Sequence, residues 1–309
     1  MKIMTVKEIN ERLEFNAGQF ISERENDYNS RIAEIALSLH DHTADSPIVL
    51  LSGPSGSGKT TSSVRIEECL DKMGSETHSI AMDDYFLTCD KNEKAKDENG
   101  VIDYESPYRV NIELLSEHLE KIANCEPVEL PHFNFQTQES EMSGKILHRK
   151  PGELVIMEGI HALNPLVTGK SSEYSCGIYV SVRTRLQTSD GNLLHPSKIR
   201  LMRRLIRDRL YRARSFEDSL KRYKSVEDGV NNFILPFKKN AQFEIDSFMG
   251  YEVPAFKDVL CEDIAKLIAT YKDFEQFSDI AKVLCESVGI QSGLIPQNSL
   301  LREFVGTVD

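Results

Sequence analysis

The sequence predicts a doubly wound α/β fold built on a parallel sheet, and three observations predict it. The apolar run Ile48-Val49-Leu50-Leu51 enters a Gly/Ser-rich turn and then a helix-like stretch from Thr61 to Met73. Further short apolar runs (around Ile80, Leu154–Met157 and Ile178–Val182) alternate with segments of helical periodicity. Two of those runs end in acids, Asp83-Asp84 and Glu158. Strands that alternate with helices imply parallel pairing, with helices covering both faces of the sheet.

In chain order, residues 1–45 read as two helices, the second carrying Ile32, Ile35, Ala36 and Leu39 at helical spacing. They form an N-terminal appendage. A core domain spans 46–254. Its strand His78–Met82 delivers Asp83 and Asp84 to a loop, and the charged stretch Thr88–Gly100 reads as solvated loop. Asn111 caps a helix running to Asn124, with Ile112, Leu115, Leu119 and Ile122 on one face. Pro151-Gly152 turns the chain into the buried strand ending at Glu158, and Gly177–Val182 is a further strand. An arginine-rich helix at about 198–216 reads as a lid. Residues 255–309 carry two amphipathic helices, one through Phe256, Leu260, Ile264 and Leu267, the other through Phe277, Ile280 and Leu284. These helical extensions either cover the sheet or join copies of the chain in a homo-oligomer.

Composition narrows the function classes. The chain of 309 residues has 40% hydrophobic and 28% charged residues, as expected of a soluble globular protein. It contains no apolar run of membrane-spanning length, and its first residues lack a signal-peptide core. Six scattered cysteines without a C-x-x-C pair argue for reduced thiols in a cytoplasm. A net charge of −12 argues against general nucleic-acid binding. Against that balance, ten Lys and Arg residues crowd between Arg183 and Arg214, with only Asp190 and Asp208 among them. Such a cluster in an acidic chain calls for a local anionic partner.

The turn after Leu51 names the anion. Gly53, Ser55, Gly56, Ser57, Gly58, Lys59 and Thr60 belong to a G-x-x-x-x-G-K-T loop lying between strand and helix. In that setting backbone N–H groups turn inward on a phosphate, and the helix N-terminus adds positive potential. The expectation is a sheet of P-loop NTPase type, with ATP on this loop and on Thr61. Lys59 is expected at the β/γ-phosphates and the Thr60 hydroxyl on Mg²⁺. Glu158, at a strand end, is the candidate acid for the same ion. Asp83 is placed to accept a proton from an attacking hydroxyl, whereas Asp84 fits a loop or capping role better. Arg204 and Arg207 lie one helical turn apart, with Arg212 and Arg214 just beyond, and supply permanent positive charge to a transferring phosphoryl group. Arg203 and Arg209 fit a solvated helix face better.

These segments, with Tyr104-Glu105-Ser106-Pro107, Pro131–Phe135 and Phe233–Ala241, occur in the order seen in the uridine kinase/phosphoribulokinase group, which residues 47–250 resemble. The flanks and the ending around Leu300–Gly306 look most similar to the kinase portion of longer bacterial nucleoside kinases. The resemblance implies ATP-dependent phosphorylation of a nucleoside 5′-hydroxyl. It makes Asp83 the base, Glu158 the Mg²⁺-associated acid, and Arg204, Arg207, Arg212 and Arg214 the lid and substrate arginines. It puts Glu105, with Tyr104 and Phe86 nearby, at the sugar hydroxyls and Phe133 and Phe135 beside the nucleobase. The departures fall on base recognition: Phe133 replaces a Tyr, Gln138 a base-reading His, and Arg222 a Gln.

Other readings stay open at this stage. A GTPase would use Asp97–Gly100 as its D-x-x-G motif, but no N-K-x-D follows. A nucleic-acid module would use the arginine cluster, and a pseudoenzyme would bind nucleotide without turnover. Within the kinase reading, the alternative acceptors are a sugar phosphate or a pantothenate-like molecule.

Overall fold

Period-two alternation along the strand that starts at Ile48 sets the layering. Val49 and Leu51 join one apolar core and Ile48 and Leu50 the other, so the sheet is packed on both faces. The computed structural model describes residues 2–88, 92–96 and 100–306. Cys89 and residues 97–99 of the D-x-x-G match lie outside them.

The N-terminal part comprises β1 (Ile3–Thr5), α1 (Val6–Asp41), β2 (Ile48–Ser52), α2 (Lys59–Lys72) and β3 (Thr77–Ala81). Next come α3 (Ile112–Ala123), β4 (Val128–Asn134), β5 (Glu139–Leu147), β6 (Leu154–Glu158), α4 (Pro165–Thr168) and β7 (Ser175–Ser181). Then follow β8 (Arg185–Gln187), β9 (Leu193–Leu194), α5 (Pro196–Tyr211), α6 (Phe216–Lys221), α7 (Tyr223–Gly229) and β10 (Phe243–Asp246). The chain ends in α8 (Glu252–Thr270), α9 (Ser278–Glu286) and α10 (Arg302–Val305).

The main sheet has five strands in the order β10-β7-β2-β6-β3, all parallel. Helices α1, α2, α5, α8 and α9 share the Val49/Leu51 core, and α3 covers the Ile48/Leu50 face. The expected doubly wound sheet with helical extensions is therefore the observed one. Asn111 caps α3, its side chain accepting from Leu114 N.

Three local expectations change. The N-terminal segment starts with strand β1, which pairs in parallel with β8. Its two expected helices are one element broken at Asn16, whose backbone is extended (φ −161°, ψ 90°) and whose side chain caps the resumed helix from Gln19 N at 3.0 Å. The hairpin strand β5 went unforeseen because every residue but Leu147 is exposed, so no alternation marks it. The packing of α8 against α9 also brings Cys261 Sγ within 3.6 Å of Cys285 Sγ.

Arg203 departs furthest from expectation. It is fully buried rather than solvated, and each of its N–H donors has a partner. Nε and Nη2 meet the Glu252 carboxylate at 2.6 and 3.1 Å, Nη1 reaches Gly56 O and Ser247 Oγ, and Nη2 reaches Ser247 O. One side chain thus ties α5, the glycine-rich loop and the β10–α8 turn together. Removing one member strands the other charge in the interior, which costs about 3–5 kcal/mol. Arg203→Met should lower the urea midpoint accordingly, and Arg203→Met with Glu252→Met should regain part of the loss. Equal midpoints for wild type and the single variant would refute the assignment.

Candidate active site

The site lies where the C-terminal ends of β2, β6 and β3 meet, the usual ligand position in an open parallel sheet. From β2 the chain passes into the loop Gly53–Gly58. Gly53 lies so close to the end of β7 that a Cβ there would stand 2.0 Å from Val180 O. Gly56, at φ +76°, turns beneath α5, where a Cβ would come within 2.9 Å of Arg200 O. Arginines of α5 hold the loop's outward carbonyls: Arg200 donates to Ser55 O and Arg203 to Gly56 O, at 3.3 and 3.1 Å. Ser57 Oγ is buried without a hydrogen-bond partner. Lys59 is 9% exposed, and its Nζ lies 3.5 Å from Pro54 O, folded back over the loop.

Three acids face Lys59. Asp83 sits in the 3₁₀ turn Met82–Tyr85 that follows β3. Burial pushes its carboxyl above the usual range, against the opposing pull of Lys59, Arg109 and Arg212. Glu158 ends β6; burial raises it too, while Lys59 and a hydrogen bond with Thr60 draw it down. Glu105 is raised by burial and faces Arg204 and Lys59, and its Oε2 has no hydrogen-bond partner. Asp84 instead accepts from His132 Nδ1 and Phe133 N at 3.1 and 3.4 Å, holding the start of the hairpin in place.

The arginines divide by environment. Arg204 is buried beside Glu105, and loss of solvent brings it down to about 10. Arg207, Arg212 and Arg214 converge on fully buried Asp208, with closest approaches of 2.8, 3.5 and 3.3 Å. Arg209 is exposed and pairs with Asp263, as a solvated face requires. Arg183 pairs with Glu244 at another edge, so the arginine-rich segment does not make one continuous basic face.

The aromatic residues form a wall. Phe133 is buried, with Phe86 and Phe135 in edge contact at 5.6 and 5.2 Å. The Arg109 guanidinium lies 4.3 Å from the Phe86 ring centre and 5.0 Å from that of Tyr104. Gln138 lies in the β4–β5 turn at φ +60°, and its side chain donates to Phe135 O. Arg222 is exposed at the junction of α6 and α7.

Sequence reasoning missed four participants. Asp208 had a signal, being one of two acids in the arginine run. His161, three residues beyond Glu158, also had one. Arg109 had none, and Glu303 lay within the Leu300–Gly306 ending that the resemblance covers, but with no role attached to it. Glu303, 242 residues away in α10, accepts from both Thr61 N and Thr61 Oγ1. Beside the loop opens a cavity of about 570 Å³, lined by Pro54, Tyr179, Arg183, His195, Arg200 and Lys238. A smaller cavity near Leu163 and Gly177 has no titratable lining and lies away from these acids.

His161 is 1% exposed, packed against the backbone of Glu105 and Phe233, and burial drives it down to about 4 from 6.5. With the folded value below the unfolded one, its contribution to stability is complete above pH 6.5 and declines as pH falls toward 4. His161→Gln should flatten that part of the stability–pH curve by up to about 1.4 kcal/mol per pH unit. An unchanged slope in chemical denaturation at several pH values would contradict this.

Residues 48–253 match the profile of the Phosphoribulokinase / Uridine kinase family. The chain is 30% identical over 230 residues to a uridine kinase of Lactobacillus johnsonii, covering 73% of this chain and 98% of that protein. It is 32% identical over 225 residues to a uridine kinase of Staphylococcus aureus, covering 72% and 97% respectively. A solved structure described as a candidate fructose transport system kinase from Silicibacter sp. TM1040 shares the fold. Its TM-score is 0.50 at 17% identity, with 69% of this chain and 98% of that one covered. By the reach of the profile match and these identities, the chain belongs to the phosphoribulokinase/uridine kinase family.

Proposed function

We propose that this chain is a phosphotransferase that moves the γ-phosphoryl group of ATP to the 5′-hydroxyl of a nucleoside of the uridine or cytidine type. The observation that carries the reading is the convergence of Asp83, Glu105 and Glu158 on Lys59 at the mouth of the glycine-rich loop. A loop that only bound nucleotide would need no such set of acids.

In this reading the triphosphate lies along Gly53, Ser55, Gly56, Ser57, Gly58, Lys59, Thr60 and Thr61, and the cavity beside Pro54 takes the rest of the nucleotide. Thr60 and Glu158, already hydrogen-bonded to each other, form an oxygen donor pair that suits Mg²⁺. When bound, the ion supplies charge neutralisation at the phosphates. Asp83 accepts the proton of the acceptor hydroxyl as that oxygen attacks. Arg204 and Arg207, on one face of α5, stabilise the charge on the phosphoryl oxygens, and Arg212 and Arg214 hold the acceptor side. Positioning and electrostatics make up most of the catalysis, because little covalent chemistry falls to the protein. Glu105 with Tyr104 binds the sugar hydroxyls, and Phe86, Phe133 and Phe135 flank the base.

A second acceptor class is favoured by one observation. Phe133 offers no hydrogen bond and Gln138 turns to Phe135 O, so a polar reading of the base is weakly provided for. A sugar phosphate or other hydroxylated metabolite is that alternative. We place the protein in the cytoplasm, in nucleoside salvage. Among the described residues no helix is long and apolar enough to cross a membrane.

The test is ADP release from MgATP with uridine, cytidine, purine nucleosides and sugar phosphates. Asp83→Asn should cut turnover at least about 100-fold and leave MgATP affinity nearly intact. Because only ionised Asp83 accepts a proton, the acid limb of wild-type activity should lie above the ordinary Asp value of 3.8. Turnover that survives Asp83→Asn would remove the base, and turnover confined to another acceptor would replace the nucleoside.

A further inference from the structure

We propose that Glu303 is an internal competitor for the phosphate position at the start of α2, so that the C-terminal segment sets nucleotide affinity. The inference rests on the reading that nucleotide phosphates bind this loop.

Helix α2 opens with unusual demands. Its N-cap, Gly58, has no side chain to accept from the first-turn N–H groups, and its first turn contains no acid. Those donors and the helix dipole therefore favour an anion from elsewhere. In the structure that anion is Glu303. Its Oε2 accepts from Thr61 N at 3.3 Å and from Thr61 Oγ1 at 2.7 Å.

The carboxylate is delivered by a built segment. Leu300 is fully buried against Gly58, where an added Cβ would meet Leu300 Cδ1 at 2.6 Å. Phe304 is fully buried, its ring 5.1 Å from the Arg203 guanidinium. Arg302 ties the segment down through Ser292 O and Gly306 O at 3.1 and 3.0 Å. Nearby, buried Ser57 Oγ still lacks a partner, an independent sign that the loop is shaped for an acceptor the protein does not supply.

A phosphate oxygen and a carboxylate oxygen repel each other and cannot both take the donors of Thr61. Nucleotide binding at Thr61 therefore requires Glu303 to leave it. A purely structural role predicts the opposite sign: if Glu303 only braces α2 and coexists with nucleotide, its removal loosens the loop and weakens binding.

The experiment is calorimetric titration of the full chain with MgADP and with adenosine, for wild type, Glu303→Gln and Glu303→Ala. Competition predicts MgADP binding about fivefold to tenfold tighter in both variants, from losing an anion at a helix N-terminus. It also predicts unchanged adenosine binding and a lower melting temperature for the free variants. MgADP affinity that is equal to or weaker than wild type overturns the proposal. If neither wild type nor variants bind any phosphorylated nucleotide, the parent reading falls and this one falls with it.

Discussion

The buried pair of Arg203 and Glu252 is the constraint on which the rest of the site depends. Both side chains are wholly removed from solvent, and desolvating two charges is favourable only when every donor and acceptor is matched. Arg203 meets that condition by binding Glu252, Ser247 and the carbonyl of Gly56 together. Glu252 takes a further hydrogen bond from Met249 N. The pair therefore fixes the angle at which α5 crosses the glycine-rich loop. Since Arg200, Arg204 and Arg207 lie on the same helix, their reach toward the loop and Glu105 follows from that angle.

The electrostatics of the pocket follow from this frame. Asp83, Glu105 and Glu158 all lose solvent, which pushes their carboxyls upward, and Lys59 opposes that in each case. Burial thus makes each carboxylate dependent on a named cation. Asp208 applies the same logic in reverse, gathering Arg207, Arg212 and Arg214 around one buried charge. Flexible cations held in this way are preorganised, which is what stabilising a phosphoryl group in transit requires.

What could be read from sequence was what is local. The loop Gly53–Thr60 joins its own strand directly to its own helix, and Asp83 and Glu158 each lie at or just past the end of their own strand. Periodicity found α3, α8 and α9 because each buries one stripe. Arg203 looked like any exposed arginine, because its partner Glu252 is 49 residues away and nothing in the local pattern marks either as buried. Glu303 reaches Thr61 across 242 residues for the same reason. Strand β5 hid because it is solvated along nearly its whole length. Local chemistry announces itself in sequence, whereas the contacts that brace it arise only when the elements pack.

In the proposed reaction this bracing serves transfer of a phosphoryl group to an alcohol rather than to water. The most direct measurement is ³¹P NMR of the full chain with MgATP and uridine, then with the wider set of hydroxylated acceptors. A phosphomonoester resonance growing in step with ADP is the expected result. Orthophosphate as the sole phosphoryl product, or ATP unchanged with every acceptor, would contradict it.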